Sequence, residues 1–138
     1  MTVLVDTNVL LYAAAVDYNL RKNRIAIEVL ARRDCVLSAQ CVNEFMHQST
    51  RESRPRHLTL DQALAFAAKL RRFNIVAVDT SVIDKAAQVA QQTNYGWWDS
   101  LIVAATIVSG CDTLLTEDLQ HGRVIDGVRI ENPFRDLA

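Results

Sequence analysis

Thr2-Val3-Leu4-Val5-Asp6 opens the chain with a short apolar run that stops on an aspartate. A run of this length, bounded by a polar residue, reads as a buried strand with its carboxyl end at Asp6. Thr113-Leu114-Leu115 repeats the pattern and leads into Thr116-Glu117-Asp118. Outward from these two runs, strands are expected at Val36-Leu37, at residues 75–78 and at residues 124–130, the last after a turn at His121-Gly122. Helices are expected between them. One is a compact apolar stretch over 9–15, and another, with mixed charged and apolar spacing, runs over 21–33. A third starts at Ser38 as N-cap and passes Glu44 toward Gln48. Thr59-Leu60-Asp61-Gln62 matches a capping box opening a helix to about Arg72, and Ser81-Val82-Ile83-Asp84 reads as a second box. Asn94-Tyr95-Gly96 breaks that helix, and a last one runs from about Trp98 to Ser109, stopped by Gly110. Strand alternating with helix implies parallel strands joined by helical crossovers, hence a three-layer α/β domain with a central, mainly parallel sheet.

The 138 residues fit one domain spanning 1–138, and half of them are hydrophobic, enough for a core without staples. The first residues lack the basic segment of a secretory leader. The longest apolar run, 101–108, is broken by Thr106 and falls far short of the roughly 20 residues of a membrane span. A soluble protein with no membrane partner is expected. Cys35, Cys41 and Cys111 are odd in number and form no C-x-x-C pair, which reads as three small core residues and fits a cytoplasmic location. The net charge of −1 conceals an asymmetry. Residues 21–72 hold eleven Lys/Arg against five Asp/Glu, an excess of +6, and the remainder an excess of −7. A basic region suits phosphates, and an acidic cluster suits cations.

In parallel α/β sheets, ligands bind beyond the carboxyl ends of the strands. Asp6 follows the first strand and Asp118 lies three residues past Leu115, so both belong to that edge. Glu44 sits about two turns into the helix leaving the second strand, and Asp99 in the first turn of the helix after Gly96. Each alone has an ordinary reading: turn former, solvated helix residue, macrodipole partner or cap. Together they permit one acidic crevice. Carboxylates at close range repel, and a cluster kept ionised at neutral pH calls for a divalent cation. Oxygen ligands without accompanying His or Cys favour Mg²⁺, or Mn²⁺, over zinc. Such ions suit hydrolysis of a phosphodiester, one activating water and another stabilising the leaving oxygen.

Val5-Asp6-Thr7-Asn8-Val9-Leu10 resembles the opening motif of PIN domains. Asn43-Glu44, Trp98-Asp99, and the run from Leu115 through Thr116-Glu117-Asp118 to Gly122 resemble the remaining motifs of that family, in order. The resemblance covers essentially the whole chain. It implies a metal-dependent ribonuclease with Mg²⁺ held by Asp6, Glu44, Asp99 and Asp118, leaving 5′-phosphate and 3′-hydroxyl ends. Single-domain bacterial members of this size are usually VapC-type toxins. The resemblance therefore also implies an RNA substrate, a homodimer and a small cognate antitoxin. A silent PIN module that binds RNA or a protein without cutting is the alternative.

Asn8 and Thr116 flank the first and last acids and are placed to orient them by hydrogen bonds. Glu117 faces a different side of the chain from Asp118 if the segment is extended and is only a secondary candidate for an outer acid. Arg51, Arg54 and Arg56, in a proline-broken loop, are candidates to follow an RNA backbone, provided the loop is flexible. Trp97, Trp98 and Tyr95 offer stacking surfaces for bases, yet the favoured reading is that they lock the helix start into the core or a dimer interface. Glu44-Phe45-Met46-His47 has the spacing of a di-iron motif but no second copy, so His47 is not expected to be a ligand. No P-loop and no G-x-S-x-G elbow is present. An aspartyl-phosphate phosphotransferase would want an acid two residues after Asp6, where Asn8 stands.

Overall fold

The computed structural model describes residues 2–17 and 19–137. Six strands form one sheet: β1 (Val3–Val5), β2 (Cys35–Ser38), β3 (Asn74–Val76), β4 (Thr113–Leu115), β5 (Val124–Ile125) and β6 (Val128–Glu131). Their order across the sheet is β3-β2-β1-β4-β6-β5. All neighbouring pairs are parallel except β5 and β6. Six helices cover it: α1 (Thr7–Ala13), α2 (Leu20–Leu30), α3 (Ala39–Ser49), α4 (Leu60–Leu70), α5 (Thr80–Thr93) and α6 (Trp97–Val108). The result is the expected three-layer α/β/α arrangement.

Local chemistry sets the helix starts. Ser38 accepts from the Cys41 backbone N–H and so begins α3 at the carboxyl end of β2. Thr59 and Gln62 close a full capping box at α4. At α5 the expected box at Ser81 is displaced. Asp79 is the N-cap, and its Oδ1 accepts from the Ser81 and Val82 backbone and from the Ser81 hydroxyl. A carboxylate ahead of the serine thus recruits it as a donor and starts the helix at Thr80. Asn94, at φ 64°, ends α5 in the left-handed conformation that asparagine tolerates.

The run at 124–130 is not one strand. It is a hairpin whose turn residues, Asp126 and Gly127, both have positive φ (46° and 81°), as an Asp-Gly two-residue turn demands. Its second strand, β6, pairs with β4 and carries the sheet past its last parallel strand. The strand expected at 75–78 is drawn back to Asn74–Val76, which leaves Val78 in the connection to α5.

β1 lies between β2 and β4, and its three residues are buried. The chain travels from β1 to β2 to β3 in one direction, then crosses back to β4 on the other side of β1. The carboxyl ends of β1 and β4 therefore meet at the point where the winding reverses, the usual place for a crevice in such sheets. Packing above and below is continuous. Phe45 stacks on Phe66 between α3 and α4, and Ser100 to Thr106 of α6 are buried on every side. All three cysteines are free and buried, as expected. Among the described residues no helix is long and apolar enough to cross a membrane.

Candidate active site

The end of β1 delivers Asp6 into the crevice. Its backbone N–H donates to Leu115 of β4 (3.0 Å), which fixes the two strand ends against each other. The Asp6 side chain caps α1, accepting from the Thr7 N–H at 2.7 Å on Oδ1. The Thr116 hydroxyl donates to Oδ2, also at 2.7 Å. Thr116 is fully buried, and its oxygen in turn accepts from the Asp118 N–H (3.1 Å), so one hydroxyl positions two acids. Asn8 donates from Nδ2 to Asp118 (3.2 Å), and its own amide oxygen is buried without a donor.

Glu44 projects from α3 and is held from two sides. The buried Thr7 hydroxyl donates to Oε2 at 2.9 Å, and Gln40, one turn earlier on the same helix face, donates to Oε1 at 3.1 Å. The same Gln40 amide reaches the Trp98 carbonyl (3.1 Å), which ties α3 to the first turn of α6, where Asp99 stands. Among the described residues Asp99 accepts no hydrogen bond, and none of the four acids forms an ion pair.

The electrostatics show that the four acids share one field. Burial pushes the Asp6 carboxyl up to about 6, opposed by its bonds from Thr116 and Thr7, with Asp118 and Glu44 adding repulsion. The Asp99 carboxyl is raised by partial burial and by Glu44. Asp118 is raised by burial, then by Glu117, with Asn8 opposing and Asp99 and Glu44 adding. The Cys41 thiol, 3.9 Å from Asp6 Oδ1, is driven upward chiefly by its own burial.

Neutral donors therefore orient three of these acids while, among the described residues, no basic side chain pairs with any of the four, a deficit that an added cation would fill. The donor set is oxygen throughout and suits a hard divalent ion. Among the described residues no three His, Cys, Asp or Glu side chains converge tightly enough to enclose a metal on their own. Magnesium asks for less: one or two carboxylates, with water in the remaining positions. The residues present fit that requirement.

The chain's residues 3–126 match the PIN domain family. It belongs to that family. Solved structures similar to it include a toxin–antitoxin complex from Klebsiella pneumoniae (19% identity over 96% of this chain and 98% of that one, TM-score 0.71). VapBC2 from Rickettsia felis bound to a promoter DNA fragment has 19% identity over 96% and 98% of the two chains, with a TM-score of 0.67. VapC20 of Mycobacterium tuberculosis, described as a sarcin–ricin-loop-cleaving toxin, has 18% identity over 85% and 90%, with a TM-score of 0.63. No curated protein matches the sequence. At these identities the likeness concerns the fold.

Several residues of this PIN domain stand elsewhere than expected, or do more. Glu117 turns away from the crevice and is neutralised: Lys22 pairs with it at 2.7 Å and the Tyr12 hydroxyl donates to it at 2.7 Å. Lys22 also lies over the Tyr12 and Phe134 rings. The loop bearing Arg51, Arg54 and Arg56 makes several hydrogen bonds and an ion pair to its surroundings. Leu58 N–H bonds Ser49 (2.7 Å), Arg54 pairs with Asp17, and Arg51 and Arg54 both reach Gln48 (3.3 and 3.0 Å). Arg51 and Arg56 are exposed. Trp97 and Trp98 are not locked into the core: they are 44% and 65% exposed, because the buried part of α6 begins at Ser100.

Thr7 and Gln40 were missed. Gln40 carried a local signal, four residues before Glu44 on one helix. Thr7 lay inside the quoted opening motif without a role. Lys22 carried none, since its partner is 95 residues away.

Proposed function

We propose that this PIN domain is a Mg²⁺-dependent endoribonuclease, active also with Mn²⁺, and the toxin of a VapBC-type pair. The observation that carries the reading is the crevice at the ends of β1 and β4. It holds four uncompensated acids, three of them held by neutral donors. Asp6, Glu44, Asp99 and Asp118 would hold the metal, which supplies charge stabilisation at a phosphate and an activated water. Thr116 fixes Asp6 and the backbone of Asp118 together. Thr7 and Gln40 aim Glu44, and Asn8 aims Asp118. Gln40 further sets the distance between α3 and α6, and so between Glu44 and Asp99.

The relatives described as toxin–antitoxin complexes support a small cognate antitoxin as partner, and a homodimer is expected with it. The exposed Arg51 and Arg56 supply positive charge for the RNA backbone. The assay is incubation of the antitoxin-free protein with structured RNA and Mg²⁺ or Mn²⁺. Metal-dependent cleavage that disappears in Asp6→Asn and Asp99→Asn is the expected result. Cleavage unchanged in those variants overturns the assignment, and tight RNA binding without any cleavage points to a silent binding module.

A further inference from the structure

A cavity of about 780 Å³ opens beside Glu44, between α3 and the first turn of α6. That volume lies within the roughly 300–1,000 Å³ typical of small-ligand sites. From α3 it takes hydrogen-bonding side chains: Gln40, Asn43, His47 and Gln48. From α6 and the segment after β3 it takes apolar surface: the exposed indole of Trp98, with Leu101 and Val78. Gln40 is 8% exposed, its amide NH₂ is spent on Glu44 and the Trp98 carbonyl, and its amide oxygen has no donor. Both ends of the Gln40 amide are thus withdrawn from solvent, and Gln40 is a fixed wall of the cavity.

The lining selects the ligand. It holds no Lys or Arg, so a phosphate is not its occupant. An aliphatic side chain would strip water from Asn43 and Gln48 and return nothing. A flat heteroaromatic with donors and acceptors along its edge satisfies both kinds of wall, its face on the indole and its edge toward the amides. Glu44 belongs to both the cavity and the acid crevice, so the occupant is continuous with the group being cut.

We propose that this cavity seats one unpaired nucleobase of the RNA, adjacent to the scissile phosphate. The base stacks on Trp98, and Asn43 and Gln48 meet its edge. The inference rests on the ribonuclease reading and narrows it: the substrate must present an unpaired nucleotide at the cut, so a fully paired duplex of the same sequence is spared.

The experiment pairs substrate and protein changes. Single abasic riboses are placed one at a time around the cut in a single-stranded RNA, and kcat/KM is measured for the wild type and Trp98→Ala. One abasic position is expected to slow the wild type about tenfold or more, the scale of losing one base–aromatic stack. Trp98→Ala should slow the intact RNA to a similar extent, and the abasic site should then add little. Two losses that multiply in full, or an unaffected Trp98→Ala, overturn the proposal.

Binding is read separately. Trp97 and Trp98 are the only tryptophans, so in Trp97→Phe, Asp6→Asn protein the indole emission reports Trp98 alone. Intact RNA should quench it and the abasic RNA should not. Quenching by an arginine-bearing peptide but not by RNA assigns the cavity to a protein segment and overturns the proposal. If the wild type cuts no RNA yet base-dependent quenching persists, the nuclease reading fails and the base site stands. If it cuts without coupling or quenching, the base site fails alone.

Discussion

The two ends of the same parallel sheet are both polar, both edged by helix termini and both beside a cavity, yet their charges are treated in opposite ways. At the amino ends, Arg32 grips Asp34 with two hydrogen bonds of 2.9 and 2.8 Å and holds its carboxyl below the usual range. Nearby, Arg72 donates to the Leu30 carbonyl at 3.1 Å. At the carboxyl ends, Asp6, Glu44 and Asp118 meet hydroxyls and amides, none of these three nor Asp99 pairs with a cation among the described residues, and the Asp6, Asp99 and Asp118 carboxyls are raised. A charge balanced within the chain has nothing left to offer a ligand. A charge that is aimed but left unbalanced does. Glu117 and Asp118 repeat the lesson in adjacent residues, the first neutralised by Lys22, the second not.

The sharpest way to break this contrast is Asp6→Asn. Loss of a charge proposed to hold the metal should cost about 10²- to 10³-fold in kcat, while the metal-free protein melts at the same temperature or higher, because a buried charge has gone. RNA cleavage and thermal melts on one preparation decide it. A parallel fall in both would make Asp6 a structural acid.

Next in size is the pH response of the metal-free protein. With a carboxyl at about 6 in the fold and 3.8 as its ordinary value, the folded state keeps a proton that the unfolded chain has lost between those limits. Stability should therefore fall as pH rises from about 4 to 6 and then level, by no more than about 3 kcal/mol for Asp6. The raised Asp99 and Asp118 act in the same direction. Urea melts in chelator across this window should show the slope, Asp6→Asn should flatten it, and added Mg²⁺ should restore stability at pH 7.

Thr116→Val keeps the shape and removes the hydroxyl that serves two acids. It should lower activity or metal affinity about 10- to 100-fold and stability by about 1–2 kcal/mol, read from metal titrations of the rate and from melts. The smallest effect belongs to the opposite edge. Arg32→Ala should cost at most about 1 kcal/mol, since the pair is partly exposed, and leave cleavage unchanged. A strong loss of activity there would remove the distinction between the two ends.

What the sequence disclosed follows from how local each cause is. Most strands along the chain and most helix starts were legible because buried runs, Ser38 and the Thr59 box each act within a few residues. The hairpin was not, because apolar residues on both sides of Asp126-Gly127 read as one run although the turn dipeptide was present. At the site, Asp6 and Asp118 were legible from strand ends, while Glu44 and Asp99 rested on the family pattern. The bond from Thr7 to Glu44 spans 37 residues, and that from Lys22 to Glu117 spans 95. Such pairs are made by topology and leave no short-range trace. The exposure of Trp97 and Trp98 depends likewise on where α6 leaves the sheet edge, which composition does not reveal.

The central place of β1 also governs when the site can exist during synthesis. Asp6 leaves the ribosome early, but apart from the neighbouring Thr7 N–H the partners that fix it in the crevice are Leu115 and Thr116, about 110 residues later. Closing so long a loop must await β4, because non-local strand pairing cannot precede its partner. A nascent chain stalled before that strand carries Asp6, Glu44 and Asp99 but has no crevice to gather them in. The acid crevice can therefore form only once translation is nearly finished.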